Sequence, residues 1–234
     1  MADTGRVPVD GPRVGVVMIT RNRRPELLHA VGKLVSLPER PPVVVVDNGS
    51  RDGSARAVRT AHPGVDVVAL PDNLGSAGRT VGARRLDTPY VAFSDDDSWW
   101  APGALRTAAR VLDAYPRLAV VGARILVGPG ERLDPVCAQM ARSPLPDRRD
   151  LPGPPVLGFL ACGAVARRAA FLTAGGFDGH FGVGGEEELL ALDLVTSGWD
   201  LAYVDAVVAH HHPSPSRDPA GRARGAVRNR VWVA

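Results

Sequence analysis

Short apolar runs rich in Val and Ile alternate with stretches of helical periodicity along the first half of the chain. Continuous apolar runs of this length are typical of strands that are buried on both faces of a sheet. Their alternation with helices predicts an α/β fold, in which a Rossmann-like, mostly parallel central sheet is flanked by helices. The predicted strands are Val14–Ile19, Val43–Val46, Val65–Leu70, Tyr90–Phe93 and Leu118–Val127.

Polar residues follow three of these strands at the points where the strands end. Ligands of parallel sheets bind outside the carboxyl ends of the strands, so these residues predict a binding cleft along one rim. They are Thr20, Arg21 and Asn22 after the first strand, Asp47–Ser50 after the second, and Asp95–Asp97 after the fourth.

The pattern changes in the second half of the chain. Residues 128–155 hold seven prolines and no long apolar run, which predicts a long irregular loop of functional importance. A helix over Glu186–Ser197 follows, with Gly198 at its predicted C-cap. The last predicted strand is Leu201–Ala209, and it leads into three consecutive histidines.

Composition excludes several classes of protein. Of the 234 residues, 45% are hydrophobic and 23% are charged, as in an ordinary globular domain. The net charge of +3 comes from scattered arginines, and aromatic residues make up only 5%, so we expect no nucleic-acid partner. The two cysteines exclude a disulfide scaffold and a Cys-rich zinc site. No apolar run could span a bilayer and no signal-peptide core is seen, so we expect a cytoplasmic protein without an integral membrane segment.

The acidic triplet Asp95–Asp97 is the first candidate for chemistry. Carboxylates at positions i and i+2 of an extended segment point the same way, so Asp95 and Asp97 could hold a hard divalent cation. The alternative is a solvated acidic turn. Like charges at the end of a buried strand repel one another unless a cation compensates them, which favours the cation site.

Three further clusters each allow a functional and a structural interpretation. Asp47 could accept a hydrogen bond from a nucleobase, or it could cap the turn at Ser50. Residues 186–188 are all Glu and could supply a general base, or they could simply favour a helix N-terminus. Residues 210–212 are all His and could add a metal ligand or form an exposed polar turn. Nucleophile-elbow, Walker A and dinucleotide-binding motifs are not found.

Taken together, these residues resemble the family 2 glycosyltransferases, which are inverting enzymes with a GT-A fold. The resemblance extends from Val14 to Val208, and its motifs follow one another in the family's order. They are Met18–Arg23 for the opening strand and turn, Val45–Ser54 for the nucleotide-binding segment, Asn73–Gly78 for the segment before the metal motif, Asp95–Asp97 for the Asp-x-Asp motif, Gly175–Asp178 for the acceptor-side turn and Gly185–Glu187 for the base motif.

The resemblance implies a role for each matching residue. Glu187 is the expected general base, with Glu186 second. Mg²⁺ or Mn²⁺ is the expected cofactor, held by Asp97 and Asp95, and we predict His211 as a further ligand. The residues expected to bind the nucleotide are Thr20, Arg21, Asn22, Asp47, Asn48, Asn73, Gly78, Asp95 and Asp96.

The implied donor is a nucleoside diphosphate sugar, most readily a UDP- or dTDP-sugar, and the acceptor is a small molecule, glycan or glycolipid. The expected organisation is one GT-A domain that allows a homodimer, with a nucleotide-sugar half over 13–127, an acceptor and base half over 128–212, and tails over 1–12 and 213–234. A sugar nucleotidyltransferase or a non-catalytic nucleotide-sugar-binding protein is the alternative. The chain departs from the family where Arg79 and Leu189 stand in place of the frequent Asn and acidic residue.

Overall fold

A computed structural model describes residues 11–181 and 184–215, so most of both predicted tails lies outside the described residues. Its strands are β1 (Val14–Thr20), β2 (Val43–Asp47), β3 (Asp66–Ala69), β4 (Tyr90–Asp95), β5 (Ser98–Trp100), β6 (Leu118–Val127), β7 (Arg132–Leu133), β8 (Ala164–Arg167) and β9 (Asp200–His211). Its α-helices are α1 (Arg24–Val35), α2 (Ser54–Ala61), α3 (Gly78–Arg85), α4 (Ala104–Ala114), α5 (Pro135–Met140), α6 (Arg168–Thr173) and α7 (Glu186–Thr196).

One sheet runs through the molecule in the order β3-β2-β1-β4-β8-β6-β9-β5, and β7 pairs with β6. The α/β fold is therefore confirmed. Strands β1 to β4 pair in parallel, as predicted, but β8 runs antiparallel to both β4 and β6, and β5 runs antiparallel to β9. The sheet is thus mixed beyond β4. Apolar strands that are covered on both faces carry no signal of direction, so the sequence pattern could not reveal this change.

The proline-rich stretch 128–155 is only in part the irregular loop that its composition predicted. It contains β7 and α5, and Cys137 and Met140 of α5 are buried in the core. Asp134 caps this helix, because its side chain accepts a hydrogen bond from the Val136 N–H at 2.8 Å. Pro135 stands in the first turn, where a proline begins a helix rather than breaking it. The helix was missed because the seven prolines of this stretch were taken together as the sign of a loop.

The two predicted halves of the chain share this one sheet. Strand β6 belongs to the first half but lies between β8 and β9 of the second half, and β5 of the first half pairs with β9. The β5–β9 pairing sets Ser98 opposite His211, which brings the end of the chain's last strand beside the acidic triplet. Within 11–181 and 184–215, no helix is both long and apolar enough to cross a membrane.

Candidate active site

The turns after β1 and β2 form one continuous ledge at the carboxyl end of the sheet. Asn22 adopts a left-handed backbone with φ of 53°, which asparagine tolerates better than most residues. Its N–H donates to Ser50 Oγ at 2.8 Å, and its Oδ1 accepts from the Arg51 N–H at 2.8 Å. The neighbouring Arg21 is exposed. The structure therefore brings the two predicted nucleotide-binding turns together, although sequence alone placed them only on the same rim.

Asp47 and Asn48 at the tip of β2 are both buried, and each one holds a turn. Asp47 Oδ1 accepts a hydrogen bond from the Ser50 N–H at 2.9 Å, which is the turn-capping role that the sequence left open. Contact of Asp47 with a nucleobase stays a prediction. The Asn48 amide donates to the Gly75 carbonyl at 3.1 Å and accepts from the Leu74 N–H at 3.3 Å. Asn48 thereby fixes residues 73–78 against the rim.

Gly78 begins α3 directly against this amide. A Cβ placed on Gly78 would lie 3.0 Å from Asn48 Oδ1, so a side chain here would press the start of α3 away from the rim. The predicted nucleotide-binding residue Asn73 is exposed, and its Oδ1 accepts from the Gly75 N–H at 3.0 Å. A side chain at Gly78 would require the Asn48 amide to shift by a few tenths of an ångström, so glycine suits the packing at position 78, whether or not it also borders a ligand.

The middle residue of the acidic triplet points into the protein. Asp96 is buried, and its two oxygens accept hydrogen bonds from Thr20 Oγ1 at 2.9 Å and from Arg23 Nη1 at 3.0 Å. Burial raises the pKa of Asp96 to about 6, although the charge of Arg23 opposes that rise. These contacts tie β4 to β1 and α1. The hydrogen bonds to Thr20 and Arg23 give Asp96 a structural role. Direct contact of Asp96 with a nucleotide stays a prediction.

Asp95 is the most exposed carboxylate of the triplet, with 24% of its side chain accessible. It forms an ion pair with Arg79, whose guanidinium comes from the first turn of α3 and is buried. Arg79 and Arg23 together compensate the acidic triplet in this structure. The sequence argument had assigned that compensation to a bound cation alone, because neither arginine is near the triplet in the sequence.

Asp97 and His211 meet across the β5–β9 pair. Asp97 Oδ1 lies 3.4 Å from His211 Nε2, and both side chains are largely buried. The opposite oxygen, Oδ2, accepts a hydrogen bond from the Ser214 N–H at 3.0 Å. The structure therefore brings two of the three predicted metal ligands to one point, and it adds Ser214, which the sequence gave no reason to select.

The donor set at this point fits a hard divalent cation. Two ligands that bind Mg²⁺ at right angles, each about 2.0–2.1 Å from the ion, lie about 3 Å apart. The 3.4 Å between Asp97 Oδ1 and His211 Nε2 is close to that distance. Among the residues that the structure describes, no three His, Cys, Asp or Glu side chains come together as a complete metal site. Magnesium often binds through one or two carboxylates and takes its other ligands from water and substrate phosphates. A cation at this point would therefore need further ligands from water or from a phosphate-bearing substrate.

Glu186 and Glu187 begin α7, directly after Gly185, whose left-handed φ of 94° favours glycine. Glu187 Oε1 accepts a hydrogen bond from the Ala161 N–H at 3.2 Å, while Glu186 is 2% exposed. Burial raises the pKa of both carboxyl groups, and the charge of Glu186 raises that of Glu187 further. The Arg79 guanidinium lowers both. A carboxylate whose pKa is raised in this way is a suitable general base near neutral pH.

Two arginines of the site were missed by the sequence argument. Arg23 was placed in the opening motif without a role, and Arg79 was noticed only as a departure from the family pattern. Each is buried or nearly so beside carboxylates that lie more than ten positions away in the chain. One sequence signal for such a counter-ion was available. It was an arginine in the first turn after a buried strand, in a chain with an acidic strand end.

Comparisons with known proteins agree with this architecture. The sequence profile of the family described as Glycosyl transferase family 2 matches residues 15–173. The curated N-acetylglucosaminyl-diphospho-decaprenol L-rhamnosyltransferase of Mycobacterium tuberculosis is 27% identical over 241 residues, which cover 88% of this chain and 78% of that protein.

Solved structures extend the comparison to the fold. The mannosyltransferase PcManGT from Pyrobaculum calidifontis, in complex with GDP-Man and Mn²⁺, has a TM-score of 0.66 and 20% identity and covers 99% of this chain. This chain spans 65% of the length of that mannosyltransferase. TarS from S. aureus, in complex with UDP, has a TM-score of 0.65 and 18% identity. The matched region covers 93% of this chain and 70% of the TarS chain.

The mixed sheet and the likeness to these solved glycosyltransferases show that the chain has the GT-A fold. The profile match covers more than half of the chain and includes the ledge, the acidic triplet and α3. The chain belongs to glycosyl transferase family 2.

Proposed function

We propose that this protein transfers a sugar from a nucleoside diphosphate sugar to an acceptor hydroxyl by a single, inverting displacement assisted by Mg²⁺ or Mn²⁺. The observation that carries the proposal is the pairing of two carboxylate clusters around one rim. Asp95, Asp97 and His211 lie at the end of β4 and β9, while Glu186 and Glu187 begin α7. Their joint proximity to Arg79 shows that the clusters are neighbours.

The first cluster and the ledge suit the donor. Asp97 and His211 would hold the cation, with Asp95 beside them, and the cation would neutralise the charge of the departing diphosphate when it is bound. The ledge would hold the nucleoside, with Asp47 at the base and Thr20, Arg21 and Asn22 along the cleft. Support comes from the solved relatives, since the mannosyltransferase was determined with GDP-Man and Mn²⁺ and TarS with UDP.

The second cluster suits the acceptor. Glu187 is the proposed base, because its carboxylate has a raised pKa and is held in place by the Ala161 N–H. It would take the proton of the acceptor hydroxyl while the oxygen attacks the anomeric carbon from the face opposite the diphosphate. Glu186, which is more deeply buried, would support that carboxylate from the same helix turn. Attack from the opposite face inverts the configuration.

The donor base and the acceptor are narrower parts of the proposal. We propose UDP- or dTDP-sugars as donors and a glycan or glycolipid as the acceptor. A glycolipid acceptor is supported by the mycobacterial relative, which is an N-acetylglucosaminyl-diphospho-decaprenol L-rhamnosyltransferase. GDP-Man in the mannosyltransferase makes a guanosine donor the first competitor.

Slow release of nucleoside diphosphate from a panel of nucleotide sugars, with and without Mn²⁺, tests the proposal. We expect metal-dependent release of nucleoside diphosphate from one uridine or thymidine donor. The release is slow because water accepts the sugar in place of the acceptor. Release of pyrophosphate from nucleoside triphosphate and sugar phosphate would instead identify a nucleotidyltransferase. Tight nucleotide binding without release, even with a range of saccharide acceptors present, would identify a non-catalytic binding protein.

A further inference from the structure

Arg79 is a buried arginine with an unusual set of neighbours. It is only 5% exposed, in the first turn of α3, and a buried charge is costly unless it is paired. Its guanidinium forms the ion pair with Asp95 and lies over the Phe177 ring, with 5.6 Å between the guanidinium carbon and the ring centroid. Phe177 belongs to the glycine turn of the acceptor-side segment. Arg79 therefore contacts one group from each side of the site.

The electrostatic surroundings of Arg79 also come from both sides. Burial alone lowers the pKa of Arg79, but the charges of Asp95, Glu187 and Glu186 raise it above its ordinary value. The effect is mutual, since Arg79 lowers the pKa of both glutamates. One cation thus pairs directly with Asp95 from β4 and acts through its charge, from beyond ion-pair distance, on the two glutamates that begin α7.

The backbone holds this cation where it is. Thr80, the next residue of α3, accepts a hydrogen bond from the Phe177 N–H through its Oγ1 at 2.9 Å. A Cβ placed on Gly176 would lie 2.4 Å from the same oxygen, so only glycine allows this close approach. The first turn of α3 is consequently fastened to the acceptor-side turn, and the guanidinium has little freedom to follow Asp95 if that carboxylate moves.

We propose that Arg79 is a positioning residue that acts as the shared counter-ion of Asp95 on the donor side and of the Glu186–Glu187 pair on the acceptor side. This inference rests on the proposed function for its catalytic meaning. Its consequence is that Arg79 lowers the pKa of the base and so favours the ionised form that accepts a proton. The groups that face Glu187 are Arg79 from α3, Asp95 from β4, Glu186 from α7, and Ala161 N–H and the Cys162 thiol from the Ala161–Gly163 turn.

The first experiment measures the pH profile of kcat/KM for nucleoside diphosphate release in the wild type, Arg79→Met and Arg79→Lys. An opposite charge nearby lowers a carboxyl pKa by about 1–3 units, so Arg79→Met should move the acid limb upward by that amount. Arg79→Lys keeps the charge and should restore the limb. Arg168→Met is the matched control, because Arg168 donates a hydrogen bond to the Ala83 carbonyl of α3 at 2.8 Å and, within residues 11–181 and 184–215, forms no ion pair with a carboxylate. An unmoved limb in Arg79→Met would overturn the proposal.

The second experiment does not depend on catalysis. Urea unfolding of Arg79→Met and Arg168→Met is compared at pH 8 and pH 5. Without Arg79, the buried carboxylates are charged and uncompensated at pH 8, whereas at pH 5 groups with raised pKa values take up protons and the cost falls. Arg79→Met should therefore lose more stability at pH 8 than at pH 5, and Arg168→Met should lose equally at both. Equal losses of stability at pH 8 and pH 5 for Arg79→Met would show that Arg79 contributes through packing and not as a counter-ion.

Two further outcomes separate the proposals from each other. If the wild type releases no nucleoside diphosphate from any donor, the proposed function fails, while the unfolding comparison still decides the role of Arg79. If Arg79→Met does not fold, the double variant Arg79→Met/Glu186→Gln should recover folded protein, because it removes one of the charges left without a counter-ion. Failure of that recovery would count against the shared role.

Discussion

The proposed donor side and the proposed acceptor side of this protein are built in different ways. The donor side consists of the ledge, whose turns directly follow β1 and β2, and of the acidic triplet, which follows β4; these are three neighbouring parallel strands. Its residues lie where the sequence places them, because each turn is joined to the strand that precedes it. The acceptor side is assembled from α7, the Ala161–Gly163 turn and the Phe177 turn, which come from separate parts of the chain. A site on strand ends can be located from the local sequence, whereas a site between distant segments depends on how those segments pack.

The largest expected effect tests the acceptor side. Glu187→Gln removes the proposed base but keeps the shape of the side chain, so kcat should fall by ~10²–10⁴. The donor KM should stay nearly unchanged, because the base contacts the acceptor. Nucleotide-release assays measure both kcat and the donor KM. Glu188→Gln is the matched control, since Glu188 is exposed in the same helix turn. If Glu186→Gln loses turnover and Glu187→Gln keeps it, the two roles are exchanged.

The second effect tests the proposed donor side at its proposed metal ligands. Asp97→Asn should weaken metal-dependent binding of UDP by about 100-fold or more, since even residues that only support metal ligands cost 10–100-fold. His211→Ala should weaken it less, and His210→Ala should leave it unchanged, because His210 pairs with Glu131 instead. Calorimetry with UDP and Mn²⁺ gives the affinities, and the exposed Asp193→Asn controls for loss of one charge. Unchanged metal dependence in Asp97→Asn would exclude this carboxylate as a ligand.

The third effect is the dependence of turnover on pH. The base works only when it is ionised, and burial raises the folded-state pKa of Glu187 above its ordinary value of 4.5. Activity should therefore be complete above that raised pKa and fall tenfold for each pH unit below it. The midpoint of the acid limb of kcat should lie well above 4.5, and Glu187→Gln should remove that limb. A limb that persists in Glu187→Gln would belong to another group.

The smallest effect tests how firmly the ledge is held. Asn48→Ala removes the two partly buried hydrogen bonds to Leu74 and Gly75, and each such bond contributes about 0.5–1.5 kcal/mol. Urea unfolding should show that loss. Asn73→Ala, in the same segment but exposed, should change stability by less than about 0.5 kcal/mol. Equal losses in the two variants would mean that the 73–78 segment is held by other contacts.

The family pattern and the strand positions were available from the sequence because they are local. The continuous apolar runs identified β1, β2, β4 and β6 nearly to the residue, and the α7 helix begins and ends close to its predicted bounds. Helix α5 was missed, because prolines were counted without regard to their position. The capped start at Asp134 and Pro135 would have shown the helix.

The sequence by itself determined which residues stand at each strand end, and hence the acidic triplet, the ledge and the glutamates of α7. Tertiary structure alone decided how those charges are compensated. Asp96 turns inward to Thr20 and Arg23, Asp95 pairs with Arg79, and Asp97 meets His211 only because β9 crosses beside β5. Strand ends follow from local patterns of apolar residues, but the partner of a buried charge depends on which distant segment packs against it. That choice is made by the order of strands in the sheet, which buried apolar sequences do not encode locally.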